Sequence, residues 1–189
     1  MYGFNFWTHG VNTIVEFPER ESRITHTGLG TFIEQAESHP DQENNWFHLP
    51  LHAPSWIPVE QWTRRPDGAY LSESHCKVQE AQLVGARLKA TLNENAAIRQ
   101  FHIRAGDELI HSESVELRGP TVDHEINISD PLACHFHTPF NGLVLCVRVV
   151  FLSGTPRGKV QFIGAGAYYI PHGIFSVDAS DWGVAWSER

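Results

Sequence analysis

Polar and apolar residues alternate with a period of two along most of this chain, which sends successive side chains to opposite faces of extended strands. The clearest run sets Ala86, Leu88, Ala90 and Leu92 against Arg87, Lys89 and Thr91 and ends in Asn93-Glu94-Asn95. It predicts a half-buried antiparallel strand followed by a turn. Phe101, Ile103 and Ala105 alternate with Gln100, His102 and Arg104, and Gly106-Asp107 supplies a two-residue turn. That loop would set Ile103 against Ile110 and His102 against His111.

Leu132, Cys134 and Phe136 alternate in the same way with Ala133, His135 and His137, and Asn141-Gly142 is the strongest short hairpin signal in the chain. Closing a hairpin there puts Phe136 opposite Val147, Cys134 opposite Val149, His137 opposite Cys146 and His135 opposite Arg148. Leu143 to Leu152 is apolar on both faces apart from Arg148, the pattern of a strand in the middle of a sheet. Ile126 and Ile128 alternate with Glu125 and Asn127. Lys159 to Ile170 is a last long strand, in which Gly164 and Gly166 mark a bulge or a close approach by a ligand or another backbone.

Toward the beginning, Phe4 to Phe17 and the turn Gly28-Leu29-Gly30 leading into Thr31-Phe32 give the first strands. Glu34 to Asn45 reads as a solvated loop. From Trp46 to Trp62 the prolines at 50, 54 and 58 argue for an edge strand or long loop. Together these elements predict an all-β fold, an antiparallel β-sandwich of jelly-roll type with about eight to ten strands and little helix. Residues 1–170 would form the sandwich. Residues 171–189, with Trp182 and Trp186 spaced as on one helical face, would form a C-terminal aromatic arm packing on the sandwich or on a neighbouring subunit. An unpaired sheet edge together with that arm favours a homo-oligomer.

Charge narrows the partners. With 22 acidic against 14 basic residues the net charge is −8, and the basic residues are scattered, so nucleic acid and anionic membrane are unsuitable partners. No run approaches the roughly 20 apolar residues of a spanning helix, and Met1 to Trp7 lacks a basic, then apolar, leader pattern. A soluble cytoplasmic protein is the expectation. Three cysteines without paired-ligand spacing point to buried thiols, not to disulfides or a zinc knuckle.

Twelve histidines raise the question of chemistry. His135-x-His137 projects two imidazoles from one strand face, with Cys146 across the hairpin, or His48 or His52, as a third ligand for a divalent metal. Arg148 opposes this, since a fixed cation repels a metal ion. His102 and His111 form a second pair, with His124 and Glu125 near it. His48 and His52 are four apart, but Pro50 between them excludes a helical zinc pair. No nucleophile elbow, phosphate-binding loop or dinucleotide fingerprint is present.

Trp46, Trp56 and Trp62, with His48 and His52, lie on the extended segment and suit stacking on a sugar face or lining an apolar pocket. The expected function is a non-catalytic small-molecule- or carbohydrate-binding, or assembly, domain without a required cofactor. The alternative is a small enzyme acting on an apolar molecule. Such an enzyme would be a cofactor-free cyclase or isomerase using His135, His137 and Arg148, or a metal enzyme using His135, His137 and Cys146.

Overall fold

Two long antiparallel strands form the spine of one sheet. The computed structural model describes residues 4–16, 18, 21–36, 45–52, 56–58, 62–64, 70–72, 75–128, 135–137 and 143–176. Its strands, numbered along the chain, fall into three sheets. The eight-stranded sheet contains β1 (Phe4–His9), β3 (Glu21–Thr27), β4 (Gly30–Gln35), β6 (Trp56–Pro58), β9 (His75–Leu92), β12 (Val122–Asn127), β13 (His135–His137) and β15 (Lys159–Ser176). The five-stranded sheet runs in the order β11 (Glu108–Leu117), β10 (Ala96–Ala105), β14 (Leu143–Phe151), β5 (Asn45–Pro50), β2 (Ile14–Val15). A small ribbon joins β7 (Trp62–Arg64) to β8 (Tyr70–Ser72).

Ten of these strands have six residues or more, in keeping with the pattern of alternation, and the rest are two or three residues long. β9 and β15 pair from Leu92↔Val160 to Cys76↔Ser176, and the other edge of β9 takes β12, β13 and β6 in turn. Beyond β15, β4 pairs with its first residues and β1 with its middle. The last strand therefore continues past Ile170, with Pro171 opposite Ala81. Residues 171–176 belong to the sheet, not to an arm, and Trp182 and Trp186 lie outside the described residues.

The two large sheets share one core. Ala86, Leu88, Ala90 and Leu92 point inward as their alternation predicts and meet Phe101, Ile103, Val147 and Val149 of the other sheet in a single buried cluster. Phe47 crosses between the sheets, its ring 5.4 Å from Phe162 and 6.5 Å from Phe151. The result is an antiparallel β-sandwich of jelly-roll type, the class the sequence pattern predicts.

Three expectations are corrected by the pairing. First, β13 does not form a hairpin with β14. His135, Phe136 and His137 pair with Gln82, Ala81 and Glu80 of β9 in the opposite sheet. The reason is that β14 already has β10 on one edge and β5 on the other. Second, Trp46 to Pro50 is not a loop or an edge. It is β5, an inner strand, and Pro50 is tolerated because it stands at the end, where Leu51 N–H takes over the ladder with a 2.9 Å bond to Leu143 O.

Third, the Gly106-Asp107 hairpin starts as expected, with Ala105↔Glu108 and Arg104↔Leu109, but Ile110 is an extra residue. Beyond it Ile103 faces His111 and His102 faces Ser112. His102 and His111 thus point to opposite faces of the sheet.

Candidate functional site

The outer face of the five-stranded sheet gathers chemistry that the sequence scatters over 130 residues. Cα register sets Ser112, His102, Cys146, His48 and Ile14 in one row across all five strands. The next row holds Ser114, Gln100, Arg148 and Trp46, and a third holds Arg104, Val144 and Pro50. Their strand neighbours Phe47, Leu49, Phe101, Ile103, Leu145, Val147 and Val149 are buried, so these rows are the face turned away from the core. The carboxylate at the edge of these rows is Glu16, which follows β2 and whose N–H bonds Trp46 O.

Trp46 and His102 roof this face. They belong to β5 and β10, which are separated by β14 and hence by about 9–10 Å of sheet. Their ring centroids are nevertheless 4.5 Å apart, tilted by 32°. The two side chains therefore lean together over β14. This explains why Cys146, on the solvent side of its strand, is only 3% exposed.

Burial pushes the Cys146 thiol up to about 11. It keeps its proton at neutral pH and is not a nucleophile there. Sγ is in hydrogen-bond contact with His48 Nδ1 at 3.2 Å, and Nε2 of the same ring lies 3.7 Å from Glu16 Oε2.

Arg148 is the unspent group of the site. Its Nη1 donates to Gln100 Oε1 at 3.3 Å, whereas its Nε is buried without a hydrogen-bond partner among the described residues. The Nε edge of a guanidinium is the fork that carboxylates take bidentately. Desolvation, together with the nearby Arg104 and Arg148, lowers the pKa of His102, so this ring is held neutral inside a cationic field. Arg104 itself donates to Asp107 O at 2.6 Å.

Of the predicted residues, the structure brings together Trp46, His48, Cys146 and Arg148. His135 and His137 lie on β13 in the opposite sheet, so the cross-strand pairs of His137 with Cys146 and of His135 with Arg148, on which the catalytic and metal readings leaned, are not formed. His52 is exposed just after β5. Trp56 pairs with Lys77 and Trp62 with Ser72, which distributes the three tryptophans over three sheets. The side chains of Trp56, Trp62, His135 and His137 lie outside the described residues. Among those described, no group of three His, Cys, Asp or Glu side chains is placed to hold a metal ion.

Gln100, Arg104 and the roofing role of His102 were missed. The signal for them is weak, because the contact of β5 with β14 joins residues almost a hundred positions apart.

A second polar cluster seals the side of the sandwich. The Ile110 bulge turns His111 and Glu113 inward, where they face His124 of β12, from the other sheet. His124 Nε2 is 3.3 Å from Glu113 Oε1, His111 Nε2 is 3.9 Å from Glu113 Oε2, and the His124 ring stacks on Phe101 at 5.3 Å and 14°. Here a structural tie between sheets accounts for all the contacts. Glu113→Ala should cost about 1 kcal/mol in urea unfolding, the worth of one part-buried hydrogen bond. A change below 0.3 kcal/mol would show that the tie does not hold the edges (the threshold is about a quarter of that hydrogen bond).

Fold and faces define an all-antiparallel sandwich with two solvent-facing sheet surfaces. The chain belongs to the family of unknown function DUF6623, whose model matches residues 1–138. No curated protein matches it in sequence. Among solved structures it is similar to a CBM4 structure at 11% identity and a TM-score of 0.41, covering 86% of this chain and 89% of that one. It is also similar to the Stig cyclase Fisc from Fischerella sp. TAU, at 11% identity and a TM-score of 0.35, covering 88% and 89%. A family two carbohydrate esterase from Cellvibrio japonicus is similar at 12% identity and a TM-score of 0.27, covering 71% of this chain and 36% of that one.

Proposed function

We propose that the protein is a non-catalytic binding module whose five-stranded face takes a small molecule or sugar bearing a carboxylate. The observation that carries this reading is Arg148, a cation whose buried Nε has no hydrogen-bond partner among the described residues and lies beside the Trp46 and His102 rings. A buried donor without an acceptor is costly, and a carboxylate oxygen supplies the missing acceptor while neutralising the charge. Trp46 offers the bound ring a flat apolar surface once it turns away from His102. The protonated Cys146 argues for binding over covalent catalysis.

Glucuronate and benzoate, compared with glucose and benzyl alcohol, test the reading by amide chemical-shift titration. Shifts at Gln100, His102 and Arg148 with the carboxylates alone are expected, and Arg148→Gln should weaken binding about 10- to 100-fold, the worth of a charge-assisted pair. Equal shifts with the neutral partners, or full binding by Arg148→Gln, would sink it.

The same site carries a pH dependence. The free protein holds the His102 pKa below its ordinary value. A carboxylate on Arg148 offsets the cationic field and raises that pKa, so binding takes up protons. Carboxylate affinity should therefore increase as the pH falls from about 7 toward 5, above the range in which a ligand carboxylate near 4 is itself protonated. The His102 Cε1–H resonance, followed with and without benzoate, measures both pKa values. A bound-state pKa that is no higher would contradict the linkage.

A further inference from the structure

We infer that the outer face of the eight-stranded sheet is a second, independent binding surface, a trough for a neutral saccharide chain. Three register rows cross it. Asn5, Tyr168, Gly85 and Asn127 form one, Trp7, Gly166, Arg87 and Glu125 the next, and His9, Gly164, Lys89 and Asp123 the third. β15 thus presents glycine in two adjacent rows, at 164 and 166, and β9 presents Gly85 in the row beside them.

These glycines are needed by what lies over them. A Cβ on Gly166 would stand 3.0 Å from the Trp7 indole and from Asn5 Oδ1, and one on Gly164 would stand 2.8 Å from Thr8 O. Trp7 is consequently laid flat across the glycine floor. The outcome is a groove of about 230 Å³ along Asn5, Gly85, Gly166 and Tyr168, with another of about 290 Å³ along Trp7, Lys89 and Gly164.

The walls have the chemistry of sugar recognition. Trp7 is 41% and Tyr168 42% exposed, unusual for large aromatics in a fold with ample core. They lie on a sheet diagonal, about 7–8 Å apart at Cα. Two adjacent flat rings suit the C–H faces of successive pyranose units, and the amides of Asn5 and Asn127 supply donors and acceptors for hydroxyls at the two ends of the first row. Lys89 Nζ stands over the Trp7 ring, 5.5 Å from its centroid, so a pyranose seated on Trp7 displaces this cation–π contact and takes a hydrogen bond from the ammonium in its place.

Charge selects a neutral chain. Arg87 is taken up by Asp123 in a two-point pair at 2.5 and 2.7 Å and by Glu125 at 3.6 Å, and Lys89 lies 3.7 Å from Asp123. Cations and anions of the trough already satisfy one another, in contrast to Arg148 of the other face, which has no carboxylate partner among the described residues. The five residues of β1 from Asn5 to His9 span about 13 Å, room for a short oligosaccharide.

Affinity electrophoresis of the full chain in gels containing hydroxyethylcellulose, barley β-glucan, xylan or galactomannan tests the inference. At least one should retard the wild type, and Trp7→Ala and Tyr168→Ala should each weaken the retardation at least tenfold while Trp46→Ala leaves it unchanged. Circular dichroism checks that the variants fold, and Asn127→Ala, which removes only an exposed amide, gives a second route to a loss. Free migration in all four gels overturns the inference, as does wild-type retardation of both aromatic variants. Retardation lost in Trp46→Ala but kept in Trp7→Ala also overturns it, and assigns the saccharide to the five-stranded face.

Discussion

Gly30→Ala should destabilise the fold by about 4 kcal/mol or more, the largest effect expected of any single methyl group in this chain. Gly30 opens β4 at φ +115°, and a Cβ there would stand 1.9 Å from the backbone carbonyl oxygen of Phe162. An L-residue at such a φ is already disfavoured. The clash adds to this because its partner is backbone in the middle of a sheet and cannot swing aside. A Cβ on Gly10 would meet the same oxygen, also at 1.9 Å, and the Gly10 carbonyl accepts from Thr13 Oγ1 at 2.6 Å and Thr31 Oγ1 at 2.7 Å.

The first turn, the β3–β4 hairpin and the bulge of β15 at Phe162 are therefore packed into one knot. Thermal unfolding gives the measurement. With about 2–4 °C per kcal/mol for a chain of this size, the melting temperature should drop by roughly 10–15 °C. Gly28→Ala, two residues earlier, where an added Cβ meets none of the described residues within 4 Å, should leave it nearly unchanged. Equal effects at the two positions would refute the steric argument.

How far the sequence discloses this molecule depends on the range of the contact. β9, β10 and β12 are legible because alternation over six or more residues reports which face is covered. The β10–β11 hairpin is half legible. Turn chemistry sets its first two pairs, while the extra residue at Ile110 leaves no mark in composition, and a one-residue shift moves His111 from the solvent side to the inter-sheet edge.

β13 shows a conflict between local and global signals. Asn-Gly favours a hairpin with β14, yet Leu143 to Leu152, apolar on both faces, already identifies β14 as a central strand. A central strand needs both edges for its neighbours. β10 and β5 supply them, and β13 pairs elsewhere.

The candidate site follows the same division. Trp46, His48, Cys146 and Arg148 stand out individually as residue types that bind or react. Their assembly rests on β5 meeting β14 across most of the chain length, a pairing no local pattern encodes. The trough on the other sheet was half visible through Gly164 and Gly166, whose close neighbour is the β1 backbone and the Trp7 ring. Trp7 and Tyr168 carry no mark of their own in the sequence, because an aromatic in a strand has the signature of a core residue.

Adjacent residues of β5 should separate stability from binding. Phe47 points inward, 1% exposed, and its ring bridges Phe151 of its own sheet and Phe162 of the facing one. Phe47→Ala removes most of a fully buried ring from a contact between sheets and should cost about 3–5 kcal/mol, because neighbours on two rigid sheets cannot collapse into the space. Trp46 points outward over Cys146 and rests on His102. Trp46→Ala should cost only about 1 kcal/mol of stability, the value of one ring contact, yet lose most of the carboxylate binding.

Urea unfolding and benzoate titration of both variants measure this contrast. Phe47→Ala, studied where it remains folded, should bind within a few-fold of the wild type, since β14 still positions Arg148 and the ladder still holds β5. If Trp46→Ala proves the more destabilising of the two, the outer face is a second hydrophobic seam. Trp46 is then a packing residue, and the binding role assigned to that face falls with it.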